Sequence, residues 1–241
     1  MAPWITAEEL IYSFETKPTD IFYNYDLGLP YISDNYIDEQ IILDRIVSIN
    51  REEMIGMPYA LGVDVGLEKH YFLGNAKGIV EIGSTKDWAE IERIMNTYKA
   101  TTVIDIKPDP TEPRKLARKY PGKVYLANEM DLIKDKESFV FKDKAGHQQV
   151  NIERDALIGE VIDDISNHKM PFVNLTPYQL KGYIAHWKNI YSATIKDRRG
   201  IERKTWKNSG ADHFVHATSF FKVALKKCGA GFGTITYATA A

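Results

Sequence analysis

Cysteine is nearly absent: Cys228 is the only one among 241 residues. A single thiol excludes an internal disulfide and a cysteine-built zinc site, and it fits a reducing compartment. Long apolar runs are missing too, since none reaches the ~18 to 20 residues of a membrane span. The opening MAPWITAEEL has neither a basic n-region nor an apolar h-region, so no secretory signal is expected. No G-x-x-x-x-G-K-S/T run occurs, and the glycine-rich GAGFGT near the end lacks the lysine, which excludes a P-loop nucleotide site. Neither charge sign dominates: 31 Lys and Arg stand against 33 Asp and Glu, a formal net charge of -2. A nucleic-acid partner would therefore need basic residues gathered on one face.

What is present describes a globular chain. Hydrophobic residues make up 44% and charged residues 27%, enough apolar material for a sizeable core. Residues 1–57 read as an arm or linker that packs on the rest: a helix opening at Thr6, an aromatic stretch FYNYDLGLPYISDNY, and a helical DEQIILDRIV. Residues 58–228 form the main domain, and 229–241 a loose tail. Within the domain, YALGVDVG, KHYFLGNA and GIVEIGS read as three antiparallel strands. STKDWAEIERIMNTYK follows as a helix capped by Ser84 or Thr85, then the strand TTVIDI, the basic helix TEPRKLARKY and the strand KVYLANE. The expected class is α/β, a mixed sheet of three antiparallel and then parallel strands flanked by helices. FVFKDKAGHQQVNI and YSATIKDRRGIERKTWK add two hairpins, and ADHFVHATSFFKVALKK closes the chain as a helix with Phe214, Ala217, Thr218, Phe221 and Leu225 along one stripe.

One residue resists a structural explanation. Asp64 lies inside the oily GVDVG, where an ionised carboxylate is costly unless something meets it. Asp105 ends the fourth strand, whose natural place is parallel beside the first, and Asp212 opens the last helix. Taken singly, Asp105 fits a turn cap and Asp212 a helix N-cap. Taken together, three carboxylates meeting without a nearby cation in sequence call for a divalent ion with hard oxygen ligands, Mg²⁺ or Mn²⁺.

The order of these aspartates resembles the ribonuclease H-like nuclease fold, and more narrowly the nuclease domain of phage terminase large subunits. GVDVG is similar to that family's first motif, TTVIDIK to its second and GADHFVHATSFFKVAL to its closing motif, while YNYDLGLPY resembles the stretch that follows the ATPase module. The likeness runs from about Trp4 to Lys227. It implies a metal-dependent endonuclease cutting double-stranded viral DNA during genome packaging, with little sequence specificity. It also implies that Asp64, Asp105 and Asp212 ligate two divalent ions ~3.5 to 4 Å apart and leave a 5′ phosphate. His213 would be a ligand, a group orienting one, or a proton shuttle. His216 stands where many terminases carry a second aspartate; it reads as a packed helix residue. The implied partners are DNA and, in a full-length protein, an ATPase motor domain, a small terminase subunit and a portal, with no membrane, in the host cytoplasm. The missing P-loop makes the chain an excised nuclease domain or half of a split system.

Two basic clusters qualify as phosphate contacts. Arg114, Lys115, Arg118, Lys119 and Lys123 sit on a helix and read as a solvated face. Lys196, Arg198, Arg199, Arg203, Lys204 and Lys207 lie on the late hairpin beside Trp206 and are the expected DNA-binding set. Three rival readings remain at this level: another ribonuclease H-like enzyme (a Holliday-junction resolvase or an RNA–DNA hybrid nuclease), an actin- or sugar-kinase-like ATPase, and a scaffold that has lost its metals.

Overall fold

The computed structural model describes residues 6–17, 22, 26–28, 37–130, 138–144, 147–167, 169–196 and 202–231. The aromatic arm FYNYDLGLPYISDNY lies largely outside them, as do the tips of both late hairpins and the end of the tail. The first helix, α1 (Ala7–Thr16), starts at Thr6 with a reciprocal cap: Thr6 Oγ1 accepts from Glu9 N–H, and the Glu9 carboxylate accepts from Thr6 N–H. A short α2 (Glu39–Leu43) follows. The expected helical DEQIILDRIV stops there, because Ile46–Val47 instead form a two-residue strand, β1.

The centre of the molecule is the sheet. Strands β2 (Ala60–Val65), β3 (Lys69–Asn75) and β4 (Gly78–Thr85) are antiparallel neighbours, as the short turn-like breaks between them predict. Helix α3 (Trp88–Tyr98) then returns the chain to β5 (Thr101–Asp105), which runs parallel to β2. The cap of α3 is Asp87, whose carboxylate accepts from Ala89 N–H, not Ser84 or Thr85; Thr85 Oγ1 instead accepts from Asp87 N–H. Helix α4 (Thr111–Lys119) leads to β6 (Val124–Met130), parallel to β5, and the hairpin β7 (Phe139–Lys144) and β8 (His147–Glu153) extends that edge. After α5 (Arg154–Ser166), the short β9 (Phe172–Val173) joins β4 and β1 at the opposite edge. The nine strands run in the order β1-β9-β4-β3-β2-β5-β6-β8-β7. Two-residue strands such as β1 and β9 carry no alternation, so only their pairing reveals them.

Helix α6 (Pro177–Lys188), the separate antiparallel hairpin β10 (Ile190–Lys196) and β11 (Glu202–Asn208), and α7 (His213–Lys227) complete the chain. Along β2, side chains alternate between faces. Leu61 and Val63 join the cluster with Ile91, Ile94, Met95 and Leu116, under α3 and α4. Ala60 belongs to the opposite cluster, with Phe220, Phe221 and Ala224 of α7. The α7 stripe read from the sequence is buried, but so are Val215, Ser219, Phe220, Val223 and Ala224. A helix apolar nearly all round belongs in the interior, and α7 lies between the sheet and α5 and α6.

Gly62 is what lets α7 lie so close. A Cβ at that position would fall 2.0 Å from the Ala217 carbonyl oxygen and 2.2 Å from the Phe221 nitrogen, both backbone atoms. Gly62→Ala is therefore expected to lower stability by about 1 to 3 kcal/mol through forced overpacking. Urea denaturation would measure it, and an unchanged midpoint would refute this packing account. Asp64, two residues on, lies on the same face and is thereby set beside the first turn of α7.

Candidate metal centre

The carboxylates gather at one end of the sheet because the ladder registers place them there. Val63 pairs with Ile104 across β2 and β5, so the next residues, Asp64 and Asp105, are neighbours. Asp105 pairs with Ala127 on β6, and Glu129 lies two residues further along the same strand face. The N-terminus of α7 brings Asp212, His213 and His216 over this end. Asp64 is buried, with 6% of its surface exposed.

Each group has a defined partner. His213 Nδ1 lies 2.8 Å from Asp64 Oδ2, and this bond holds the imidazole above its ordinary pKa. His216 bridges two acids: Nδ1 is 2.7 Å from Glu129 Oε1 and Nε2 is 3.3 Å from Asp212 Oδ2. Burial opposes charge on His216, but the bonds to Asp212 and Glu129 outweigh it and raise the imidazole to about 10. His216 is thus a half-buried cation set among carboxylates rather than a helix face packed on apolar surface. Asp212 has the place of an N-cap yet makes no side-chain cap bond. Burial alone would raise its pKa; His216, with Arg154 and His213, holds it below the ordinary value instead.

Asp105 has the opposite fate. Burial, reinforced by the negative charge of Asp64 and Glu129, lifts its carboxyl to about 7, although Lys107 N–H donates to it at 3.0 Å. It therefore caps the turn and still carries unresolved electrostatic strain. A divalent ion among these oxygens would relieve it, and the donor chemistry fits such an ion.

A second cluster of imidazoles lies alongside. Asp64 pairs across the β2–β3 ladder with His70, so both side chains share a face. One ligand atom from each of Asp64, His70 and His213 lies within 4.8 Å of the others. Among the described residues this is the tight three-ligand group; Asp64 and His213 belong to it, and Asp105 and Asp212 do not. His186, on α6, packs against both rings and accepts from Phe214 N–H through Nδ1 at 3.1 Å. Burial, then the neighbouring His70 and His213, push His186 down to about 4.

The late hairpin is latched to the same region. Asp155 accepts from Thr205 Oγ1 at 2.6 Å and from Trp206 N–H at 3.1 Å, while Arg154 donates to the Trp206 carbonyl at 2.7 Å. The other Arg154 nitrogen lies 3.8 Å from Asp212. Of the expected DNA contacts, Lys204 and Lys207 are exposed on β11, Lys204 reaching over the Trp206 ring at 4.6 Å. Arg203 is half-buried in the same strand. The backbone of Lys196 ends β10, whereas Arg198 and Arg199 lie outside the described residues.

The sequence matches no protein-family model, and no curated protein matches it. Solved structures do. A crystal structure of the large terminase nuclease from thermophilic phage G20c with bound magnesium superposes with a TM-score of 0.50 at 12% identity, covering 80% of this chain and 97% of that one. The chain has the fold of a large terminase nuclease. Another structure of the G20c nuclease covers 70% of this chain and 82% of its own at 13% identity, with a TM-score of 0.44. Identity this low speaks to the terminase-nuclease fold and leaves the chemistry to the residues themselves. The mixed sheet of three antiparallel and then parallel strands, and the separate hairpin, are as the sequence predicts.

Glu129, His70 and Arg154 are absent from the sequence reading. Glu129 had one available signal, its place near the carboxyl end of a parallel strand, where α/β sheets build their sites. His70 was marked only by the hairpin register opposite Asp64. Nothing local marks Arg154.

Proposed function

We propose that this chain is a divalent-metal-dependent endonuclease that cuts double-stranded DNA during phage genome packaging. The observation that carries the reading is the meeting of Asp64, Asp105, Glu129 and Asp212 at one end of a terminase-nuclease sheet, with Asp105 held protonated to about pH 7. Asp64, Asp105 and Asp212 hold the metal, Mg²⁺ or Mn²⁺ and two ions in the full reading. Bound there, the ions supply a Lewis acid that lowers the pKa of an attacking water and offsets charge on the phosphate and the leaving 3′ oxygen. His216 keeps Glu129 and Asp212 in place and holds the Asp212 carboxyl below its ordinary pKa. His213, hydrogen-bonded to Asp64, orients that carboxylate.

Lys196, Arg198, Arg199, Arg203, Lys204 and Lys207 are proposed to grip phosphates on either side of the cut. The latch through Arg154 and Asp155 fixes their hairpin relative to Asp212. Phosphate contacts carry no base information, so cutting is expected to be weakly specific and to fall steeply with salt. The proposed partners are an ATPase motor, a small terminase subunit and a portal, acting in the host cytoplasm. No described helix is long and apolar enough to cross a membrane.

Plasmid digestion tests the reading. Supercoiled DNA is expected to be nicked and linearised with Mn²⁺ or Mg²⁺, to survive EDTA, and to survive Asp64→Ala and Asp105→Ala. Equal cutting by both variants, or in EDTA, would remove the mechanism.

A further inference from the structure

We propose that the cation position beside Asp64 is a mixed carboxylate–imidazole site that prefers a late first-row transition ion, Zn²⁺ or Co²⁺, to Mg²⁺, with His70 as a ligand. The inference deepens the nuclease reading, and rests on it for the ion's role in cutting.

Three observations support it. Asp64, His70 and His213 present ligand atoms within 4.8 Å of one another, the spacing of side chains that share an ion. The buried His70 Nδ1 makes no hydrogen bond of ordinary geometry, the Glu68 backbone being its one polar neighbour, and a poorly satisfied buried nitrogen is a cost that folded proteins rarely leave standing. The His70 and His213 rings stack nearly parallel, with centroids 4.6 Å apart and an angle of 12°. The two imidazoles are therefore adjacent, and one ring would turn to aim its in-plane lone pair at a shared ion. All three residues sit on rigid elements: Asp64 and His70 are paired in the β2–β3 ladder, and His213 opens the first turn of α7. His186, committed to Phe214 N–H, is a positioning residue that packs the two rings.

The donor set decides the ion. Two of three ligand atoms are imidazole nitrogens, which suit Zn²⁺ and its first-row neighbours. Mg²⁺ takes oxygen ligands and keeps its waters, so it gains little from His70 or His213. The Asp105 side of the site, built from carboxylates, is where Mg²⁺ or Mn²⁺ belongs.

The test is calorimetric titration of the full chain, without DNA, using Zn²⁺, Co²⁺ or Mg²⁺ separately, with visible absorption of the Co²⁺ form as a second readout. Zn²⁺ is expected to bind more tightly than Mg²⁺. His70→Asn is expected to weaken Zn²⁺ by about 10- to 100-fold, to alter the Co²⁺ spectrum, and to leave Mg²⁺ binding nearly unchanged. Circular dichroism checks that the variant folds. If it does not, the Zn²⁺-induced shift of the His70 ring nitrogens in the unaltered chain, read by NMR, carries the same information. Mg²⁺ binding as tightly as Zn²⁺, Zn²⁺ affinity unchanged by His70→Asn, or ring nitrogens unmoved by Zn²⁺ would overturn the proposal. A chain that cuts DNA with Mg²⁺ but shows no His70-dependent Zn²⁺ site overturns this inference alone. A chain that binds Zn²⁺ through His70 and cuts nothing supports the site and overturns the nuclease reading.

Discussion

Asp105→Asn is expected to abolish cutting and, in the same molecule, to raise stability. The two effects share one cause. Burial lifts the Asp105 carboxyl from an ordinary 3.8 to about 7, so the folded chain holds a proton that the unfolded chain has already lost. Stability therefore falls as pH rises from about 4 to about 7, and above pH 7 the whole penalty is present. At about 1.4 kcal/mol per pKa unit, asparagine should recover about 2 to 4 kcal/mol. Its side-chain oxygen can still accept from Lys107 N–H, which keeps the turn. In EDTA the variant should melt above the unaltered chain at pH 8 and level with it near pH 4. Activity should drop by at least about 100-fold, because even groups that merely orient metal ligands are worth about 10- to 100-fold. A variant that melts lower at pH 8 would show that Asp105 is an ordinary structural carboxylate.

Much of this site was legible before any coordinates. Asp64 stood out because no turn or cap explains a carboxylate between Val63 and Val65. The order of Asp64, Asp105 and Asp212 follows from strand rules, and the β2–β5 register places the first two beside each other. What escaped notice depends on contacts between distant segments. Glu129 meets His216 across 87 positions of sequence, and Arg154 meets the Trp206 carbonyl across 52. Neither pairing leaves a periodic trace. His216 was read as packing because a histidine on an apolar helix face usually is packing; only Glu129 and Asp212, both half-buried beside it, reveal the charge.

The same limit applies to the hairpin. Its basic residues were visible in sequence, but the latch that seats it was not. Asp155 and Arg154 open α5, far from Trp206 and Asp212 in the chain, and tie the two together. A DNA strand displacing the hairpin would pull on the Arg154 that faces Asp212. The proposed phosphate grip and the proposed metal ligand Asp212 would thereby be physically joined through one guanidinium.

His216→Ala is expected to have the largest effect on stability, a loss of about 3 to 5 kcal/mol near pH 7, because it strands Glu129 and Asp212 without their shared cation. The pH dependence separates this from a simple cavity. The imidazole is raised from 6.5 to about 10, so its contribution is fully present below about pH 6.5 and is lost as pH rises through 10. A cavity left by the missing ring would cost the same at every pH. Urea denaturation in EDTA should thus show a wide gap between the two chains at pH 6.5 that narrows steadily toward pH 10.5. Adding a divalent ion should close part of the gap at neutral pH, since a cation at the metal centre replaces some of the charge that His216 supplied. A gap that stays constant across the range would leave His216 as a space-filling residue and detach it from the electrostatics of the site.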